Sequence, residues 1–207
     1  MTIDEILAAG PVMPVVVIDD AAHAVPLARA LVAGGIRAIE ITLRTEAALE
    51  AIQAIARGVP DAIPGVGTAV TAADVLAAMN AGAKFIVSPG MTPALSEAAT
   101  RSGLPFLPGI ATASELMAGM AAGLAAFKFF PAAQAGGIDG LRALGGPFPS
   151  ARFCPTGGVS AANAAAYLAL PNVACVGGSW LAPRETIAAG DFAKIEGLAR
   201  EASGLRA

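Results

Sequence analysis

Hydrophobic positions along the chain fall into two alternating textures: short runs rich in Val, Ile and Phe, and longer stretches dominated by Ala and Leu. The first texture signals strands and the second helices. The strand signals cover residues 12–18, 38–43, 62–66, 85–88, 105–108, 126–130, 152–156 and 173–177. Eight short strands, each followed by a helix, make the α/β pattern of a parallel sheet. Glycines placed to end the helices recur at Gly35, Gly58, Gly82, Gly103, Gly123 and Gly146, spaced 20 to 24 residues apart. That interval holds one helix, one strand and two short loops. Helix starts are marked too, by Thr92-Pro93 and by Thr71 with Asp74 in the order of a capping box.

No Gly-x-Gly-x-x-Gly element opens the chain, and no composition break or long linker interrupts the repeat. The units are therefore expected to close into a (β/α)8 TIM barrel, with an open doubly wound sheet as the alternative. Residues 1–207 are read as one barrel domain. Within it, residues 1–9 add an extra N-terminal helix over the barrel bottom, and residues 185–202 form the last outer helix.

Composition narrows the class. Hydrophobic residues make up 56% of the chain and charged residues 14%, enough to bury a large core and unlike a disordered chain. The apolar runs fall short of the ~20 residues that span a bilayer. Asp4 and Glu5 stand where a secretory signal carries positive charge, so a cytoplasmic address and no membrane contact are expected. Net charge is −3 and no Lys/Arg cluster occurs, which points away from nucleic acid and toward a small-molecule partner. Cys154 and Cys175 sit in different strand-like runs and are expected as buried thiols without a disulfide. His23 is the only histidine, with no ligand cluster around it, so neither a metal nor another cofactor is expected.

Polar residues inside barrel strands need a reason to be there, because active sites collect at the C-terminal ends of the strands. In residues 38–44, Ile39, Ile41 and Leu43 share one face and Glu40, Thr42 and Arg44 the other. The apolar face suits the helix layer, which turns the polar row inward. A structural ion pair would explain that row blandly; a functional site explains it as well. In residues 126–131, Lys128 lies among Phe127, Phe129 and Phe130, with Phe130 on its own face. Of the three lysines, Lys194 belongs to the last helix and Lys84 to the N-terminal end of a strand, so Lys128 alone is placed for chemistry. Low-dielectric surroundings favour an uncharged amine, the form that attacks a carbonyl carbon. The bland alternatives are a snorkelling lysine or one paired with Glu40.

Two glycine pairs follow the last two strands, in Thr156-Gly157-Gly158 and Gly177-Gly178-Ser179. Barrel enzymes often hold phosphate there, and consecutive glycines let backbone N–H groups approach an anion. Tight turns use the same dipeptide. Gly65-Val66-Gly67-Thr68 adds a third accessible edge to this rim.

Across nearly its whole length the chain resembles the class I aldolases of the 2-keto-3-deoxy-6-phosphogluconate (KDPG) and 4-hydroxy-2-ketoglutarate (KHG) family. The resemblance is carried by residues 11–16 (PVMPVV), 40–45 (EITLRT), 87–90 (VSPG), 127–132 (FKFFPA), 153–158 (FCPTGG) and 177–180 (GGSW). It implies a lyase of the Entner–Doudoroff route that splits KDPG into pyruvate and glyceraldehyde 3-phosphate, without a metal, as a homotrimer. By motif match, Lys128 forms the Schiff base and Glu40 is the general acid/base. Arg44 and Thr68 hold the pyruvate carboxylate, Pro89 and Phe130 wall the pocket, and Thr156 helps set stereochemical preference. Gly157, Gly158, Gly178 and Ser179 cradle the phosphate. Two positions depart from the family pattern: Ala133 replaces a usual Glu, and Val66 replaces a usual Ala, which is expected to narrow the pocket. Besides cleavage of KHG, the competing readings are a phosphosugar isomerase or epimerase on the same fold, and a non-catalytic phosphometabolite-binding barrel.

Overall fold

The computed structural model describes residues 1–206. β1 (Val12–Val16), β2 (Ala38–Thr42), β3 (Ile63–Gly67), β4 (Ile86–Val87) and β5 (Phe106–Leu107) pair in parallel in that order. β9 (Val176–Gly178) adds to the other side of β1, while β6 (Gly109–Ile110), β7 (Ala126–Phe129) and β8 (Arg152–Pro155) form a second parallel group. β5 and β6 are halves of one strand interrupted at Pro108, which has no N–H to give. The first half pairs with β4 and the second with β7. Parallel bridges from Phe153 to Val173 and from Thr156 to Gly177 join β8 to β9. Nine segments thus act as eight staves, and they close into the expected barrel.

Two expected elements differ. The last strand is displaced from residues 173–177 to Val176–Gly178. Between its two bridges three residue steps on β8 face four on the last strand, so one residue is looped out and regular pairing starts late. The helix expected at residues 185–202 is two: α9 (Arg184–Ala188) and α10 (Phe192–Ser203). Gly190 breaks them apart with φ +69, and the Asp191 side chain then caps α10 by accepting from Lys194 N.

Of the glycines expected to end helices, Gly82 after α4 (Ala72–Ala81) and Gly103 after α5 (Pro93–Ser102) take the left-handed conformation. Gly58 is instead the last residue of α3 (Ala48–Gly58), and Gly146 caps α7 (Gly137–Gly145) with φ −61. Thr71 and Thr92 cap α4 and α5 as their sequence predicts.

The buried side chains form two layers. Ile39, Ile41, Val66, Phe127, Phe129 and Phe153 lie between barrel and helices. Met13, Ile63, Phe85, Leu107, Cys154 and Cys175 fill the lower barrel interior, where they meet Ile6 and Leu7 of α1 (Ile3–Leu7). The extra helix is therefore the barrel's floor, started by a capping box between Thr2 and Glu5. Val66 pairs with Ile41 and belongs with it to the outer layer, so the expectation that it narrows the pocket is overturned. No helix among the described residues is long and apolar enough to cross a membrane.

Candidate active site

Strand alternation places Glu40 and Lys128 inside the barrel, on staves that are not neighbours: three staves lie between β2 and β7 in either direction around the ring. The two side chains reach across the interior and meet, Lys128 Nζ donating to Glu40 Oε1 at 3.0 Å. Both are almost wholly buried, with 4% and 2% of their surface exposed. Lys84 and Lys194 are exposed. A buried ion pair costs desolvation that a pair of apolar residues would avoid, so stability alone is a poor reason for it. The same pair has the geometry of a proton relay, since a donor and an acceptor 3.0 Å apart are within direct transfer range.

The walls hold the pair in place. The Phe130 ring centroid lies 5.3 Å from Lys128 Nζ, a cation–π distance. Position 67 supplies the space for the carboxylate: a Cβ on Gly67 would stand 2.3 Å from Glu40 Oε1. A Cβ on Gly109 would stand 2.2 Å from the Pro89 carbonyl oxygen, and one on Gly177 would stand 2.1 Å from Thr156 Oγ1. Three interior glycines therefore hold open the room around the lysine; the sequence places Gly67 and Gly177 only on the accessible rim, and Gly109 carries no expectation. Thr42, on the polar row of β2, is fully buried and donates its hydroxyl to the Val16 carbonyl at 2.8 Å, so it is a structural tie between strands.

At the C-terminal rim the polar row ends in Arg44, whose exposed guanidinium donates from Nε to Thr68 Oγ1 at 3.4 Å. Thr68 is the only non-glycine with positive φ among the described residues, at φ 60. For a β-branched residue this conformation is strained, and such strain concentrates at functional sites. Pro89 follows β4 and Phe130 follows β7, both half-buried at the same mouth. Thr156 is buried at 6%, beside Cys154 Sγ at 3.9 Å. Cys175 Sγ in turn lies 3.5 Å from Cys154 Sγ, deep in the interior layer.

The expected phosphate loops follow adjoining staves. Gly157 and Gly158 have φ +95 and +76, conformations that glycine adopts without cost. Ala132 N and Ala133 N donate to the carbonyls of Thr156 and Gly157, fastening the β7 and β8 loops together. Gly158 in turn leaves room for Ala133, whose Cβ would stand 2.5 Å from one built on Gly158. Gly178 ends β9 and Ser179 is exposed beyond it.

A cavity of about 320 Å³ opens at this edge of the mouth, lined by Val15, Val17, Ser179, Trp180 and Arg184 among others. Arg184 donates from Nε and Nη2 to the two carboxylate oxygens of Asp19, each at 2.6 Å. That double hydrogen bond holds the Asp19 carboxyl below its ordinary range and raises the guanidinium. Neither residue was singled out from sequence, where each reads as a surface charge. A larger hollow of about 580 Å³, lined by Ala8, Arg142, Arg152 and Asn172 among others, lies at the opposite end, beside the starts of β8 and β9. Neither Lys128 nor Glu40 lines it.

A closed parallel barrel with an amine and a carboxylate in contact at its centre, and glycine-rich loops above, defines the Schiff-base aldolase class of barrel enzyme. The profile of the KDPG and KHG aldolases matches residues 3–198, and the chain belongs to that family. The KHG/KDPG aldolase of Escherichia coli (strain K12) is 54% identical over 199 residues, covering 96% of this chain and 93% of that protein. The 2-dehydro-3-deoxy-phosphogluconate aldolase of Dickeya dadantii is 55% identical with the same coverage. Among solved structures, the KDPG aldolase of Legionella pneumophila, with pyruvate captured as a covalent carbinolamine, superposes with a TM-score of 0.96 at 46% identity, covering 99% of each chain.

Proposed function

We propose that this chain cleaves KDPG into pyruvate and D-glyceraldehyde 3-phosphate, the lyase step of the Entner–Doudoroff route, through a Schiff base on Lys128. The observation that carries the reading is the 3.0 Å contact between Lys128 Nζ and Glu40 Oε1 inside the barrel.

Glu40 takes a proton from Lys128, and the freed amine attacks the C2 ketone of the substrate. The same carboxyl group returns a proton to the carbinolamine oxygen, water leaves, and a protonated imine forms. Glu40, a carboxylate again, accepts the C4 hydroxyl proton while the C3–C4 bond breaks. The electrons of that bond move into the imine, giving an enamine and the free aldehyde. Protonation of the enamine and hydrolysis of the imine release pyruvate and restore the amine. Each step asks the pair for position rather than for unusual strength.

Arg44 and Thr68 bind the pyruvyl carboxylate at the rim, where a guanidinium meets a carboxylate edge-on. Pro89 and Phe130 wall the pocket and Thr156 faces the reacting carbons. Gly157, Gly158, Gly178 and Ser179 take the phosphate. KHG is a second substrate of the same site, a reading supported by the name of the Escherichia coli relative. Homotrimeric assembly and cytoplasmic residence belong to the same proposal, with light scattering on the purified protein as the check on the first.

Incubation with pyruvate and borohydride, followed by peptide mass mapping, tests the core of the proposal. The reduced adduct is expected on Lys128, and Lys128→Ala is expected to abolish pyruvate release from KDPG. An adduct confined to Lys84 or Lys194, or none, refutes the assignment.

A further inference from the structure

We infer that Arg184, oriented by Asp19, is a phosphate-binding residue of this active site; the inference rests on the aldolase reading and adds to it the cation that the glycine loops lack. Met13 of β1 is paired with Gly177 of β9. Met13 belongs to the interior layer, and a Cβ on Gly177 would strike Thr156 in the site. Side chains on one face of a strand recur every second residue. Two residues on from Met13, Val15 therefore turns to the same interior side, and Ser179, just past the end of β9, lines the 320 Å³ cavity at the mouth with it. Arg184 lines that cavity with them. The expected phosphate hydroxyl and a guanidinium thus share one hollow above the barrel interior.

The guanidinium is set to receive a further acceptor. Of its five N–H donors, two are engaged by Asp19, from Nε and Nη2. Both N–H groups of Nη1 and one of Nη2 remain. Asp19 occupies the Nε edge, which turns Nη1 away from that carboxylate and fixes the plane of the fork. A phosphate dianion is the ligand that matches such a fork, and charge-assisted bonds to it are among the strong ones. Gly157, Gly158 and Gly178 can contribute only backbone dipoles, and Ser179 a neutral hydroxyl.

The test compares wild-type protein with Arg184→Met and Arg184→Lys in two assays. The first is pyruvate release from KDPG. The second is the pyruvate concentration that half-saturates borohydride trapping on Lys128, a readout with no phosphate in it. The expected result for Arg184→Met is a KM for KDPG raised about tenfold, the loss of a charge-assisted hydrogen bond. Half-saturation by pyruvate stays at the wild-type value, and Arg184→Lys recovers part of the KM. A KM for KDPG within twofold of wild type overturns the inference. So does a parallel rise in both assays, which would mark a general disturbance of the mouth. Wild-type protein that traps no pyruvate sinks the aldolase reading itself, a different and separately visible failure.

Discussion

The carboxylate of Glu40 has its place only because position 67 carries no side chain. With a Cβ there, Glu40 Oε1 would be 2.3 Å away, closer than any real contact, so the carboxylate must move or β3 must bend. Gly67→Ala therefore displaces the acid/base group while leaving Lys128 and its own strand untouched. A shift of about 1 Å at a reacting group costs on the order of 10²-fold in rate. The expected outcome is a kcat lowered about 100-fold with the borohydride adduct still forming on Lys128, measured by pyruvate release and by mass mapping. A kcat within threefold of wild type would show that Glu40 does not need its slot. Glu40→Gln asks a second question at the same atom, since it keeps the shape and a hydrogen-bonding oxygen but cannot accept the proton. Its kcat is expected to fall by roughly 10² to 10⁴. Turnover close to wild type would remove Glu40 from the relay.

Single elements are started and stopped by groups that can be tested alone. α6 (Ala113–Ala121) opens with Thr112 accepting from Glu115 N and with Glu115 accepting from the backbone of Ala111 and Thr112. Those backbone bonds, the Ala111 one first, hold the Glu115 carboxyl below its ordinary value of 4.5. A carboxylate with a depressed folded value stabilises fully above its unfolded value and loses that contribution as pH falls through the folded one. Thr112→Ala is expected to cost about 1 kcal/mol at neutral pH. Glu115→Gln should cost about 0.5 kcal/mol there, with the gap from wild type closing as pH drops below 4.5. Urea unfolding across the pH range is the measurement, and a gap that stays constant down to pH ~3 would reject the electrostatic part of this cap. Runs of β-branched and aromatic residues announced every stave, and Thr71 and Thr92 announced the starts of α4 and α5, because both signals are local. The break at Gly190 was missed because a glycine amid Ala-rich sequence reads as a tolerated interruption until its φ is known. The late start of β9 depends on pairing with β8, and the tasks of Gly67 and Arg184 depend on neighbours more than a hundred residues away or on other staves. Lys128 and Glu40 were legible for a different reason: charge inside an alternating strand conflicts with burial, and that conflict is visible without any partner. Their meeting across the whole barrel, rather than between adjoining strands, was not.

Closing a ring of eight staves also closes the ring of helices, and in this chain the closure is made by the last helix against the first of the repeats. α10 packs on α2 (Ala24–Ala33) at Gly34, where a Cβ would stand 2.4 Å from Ala199 Cβ and 2.8 Å from the Glu196 carbonyl oxygen. Two of the nearest atoms are backbone, so no rotamer change can relieve the clash and α10 must lift as a unit. Overpacking of this kind costs typically 1–3 kcal/mol. If residues 1–207 fold as one domain, as we propose, that loss is shared by the whole barrel, because β9 and β1 are neighbours and neither end of the chain can loosen alone. Gly34→Ala should then lower the melting temperature as one transition, with far-UV and near-UV circular dichroism moving together. A separate early transition, with α10 melting off while near-UV signals from Phe127, Phe129 and Phe153 persist, would mean instead that the C-terminal helix is an appendage. The active site gives the same prediction a second reading. Ser179 and Arg184 lie on the segment between β9 and α10, so loosening α10 should raise the KM for KDPG before it affects pyruvate trapping on Lys128, which stands two staves from β9 on β7.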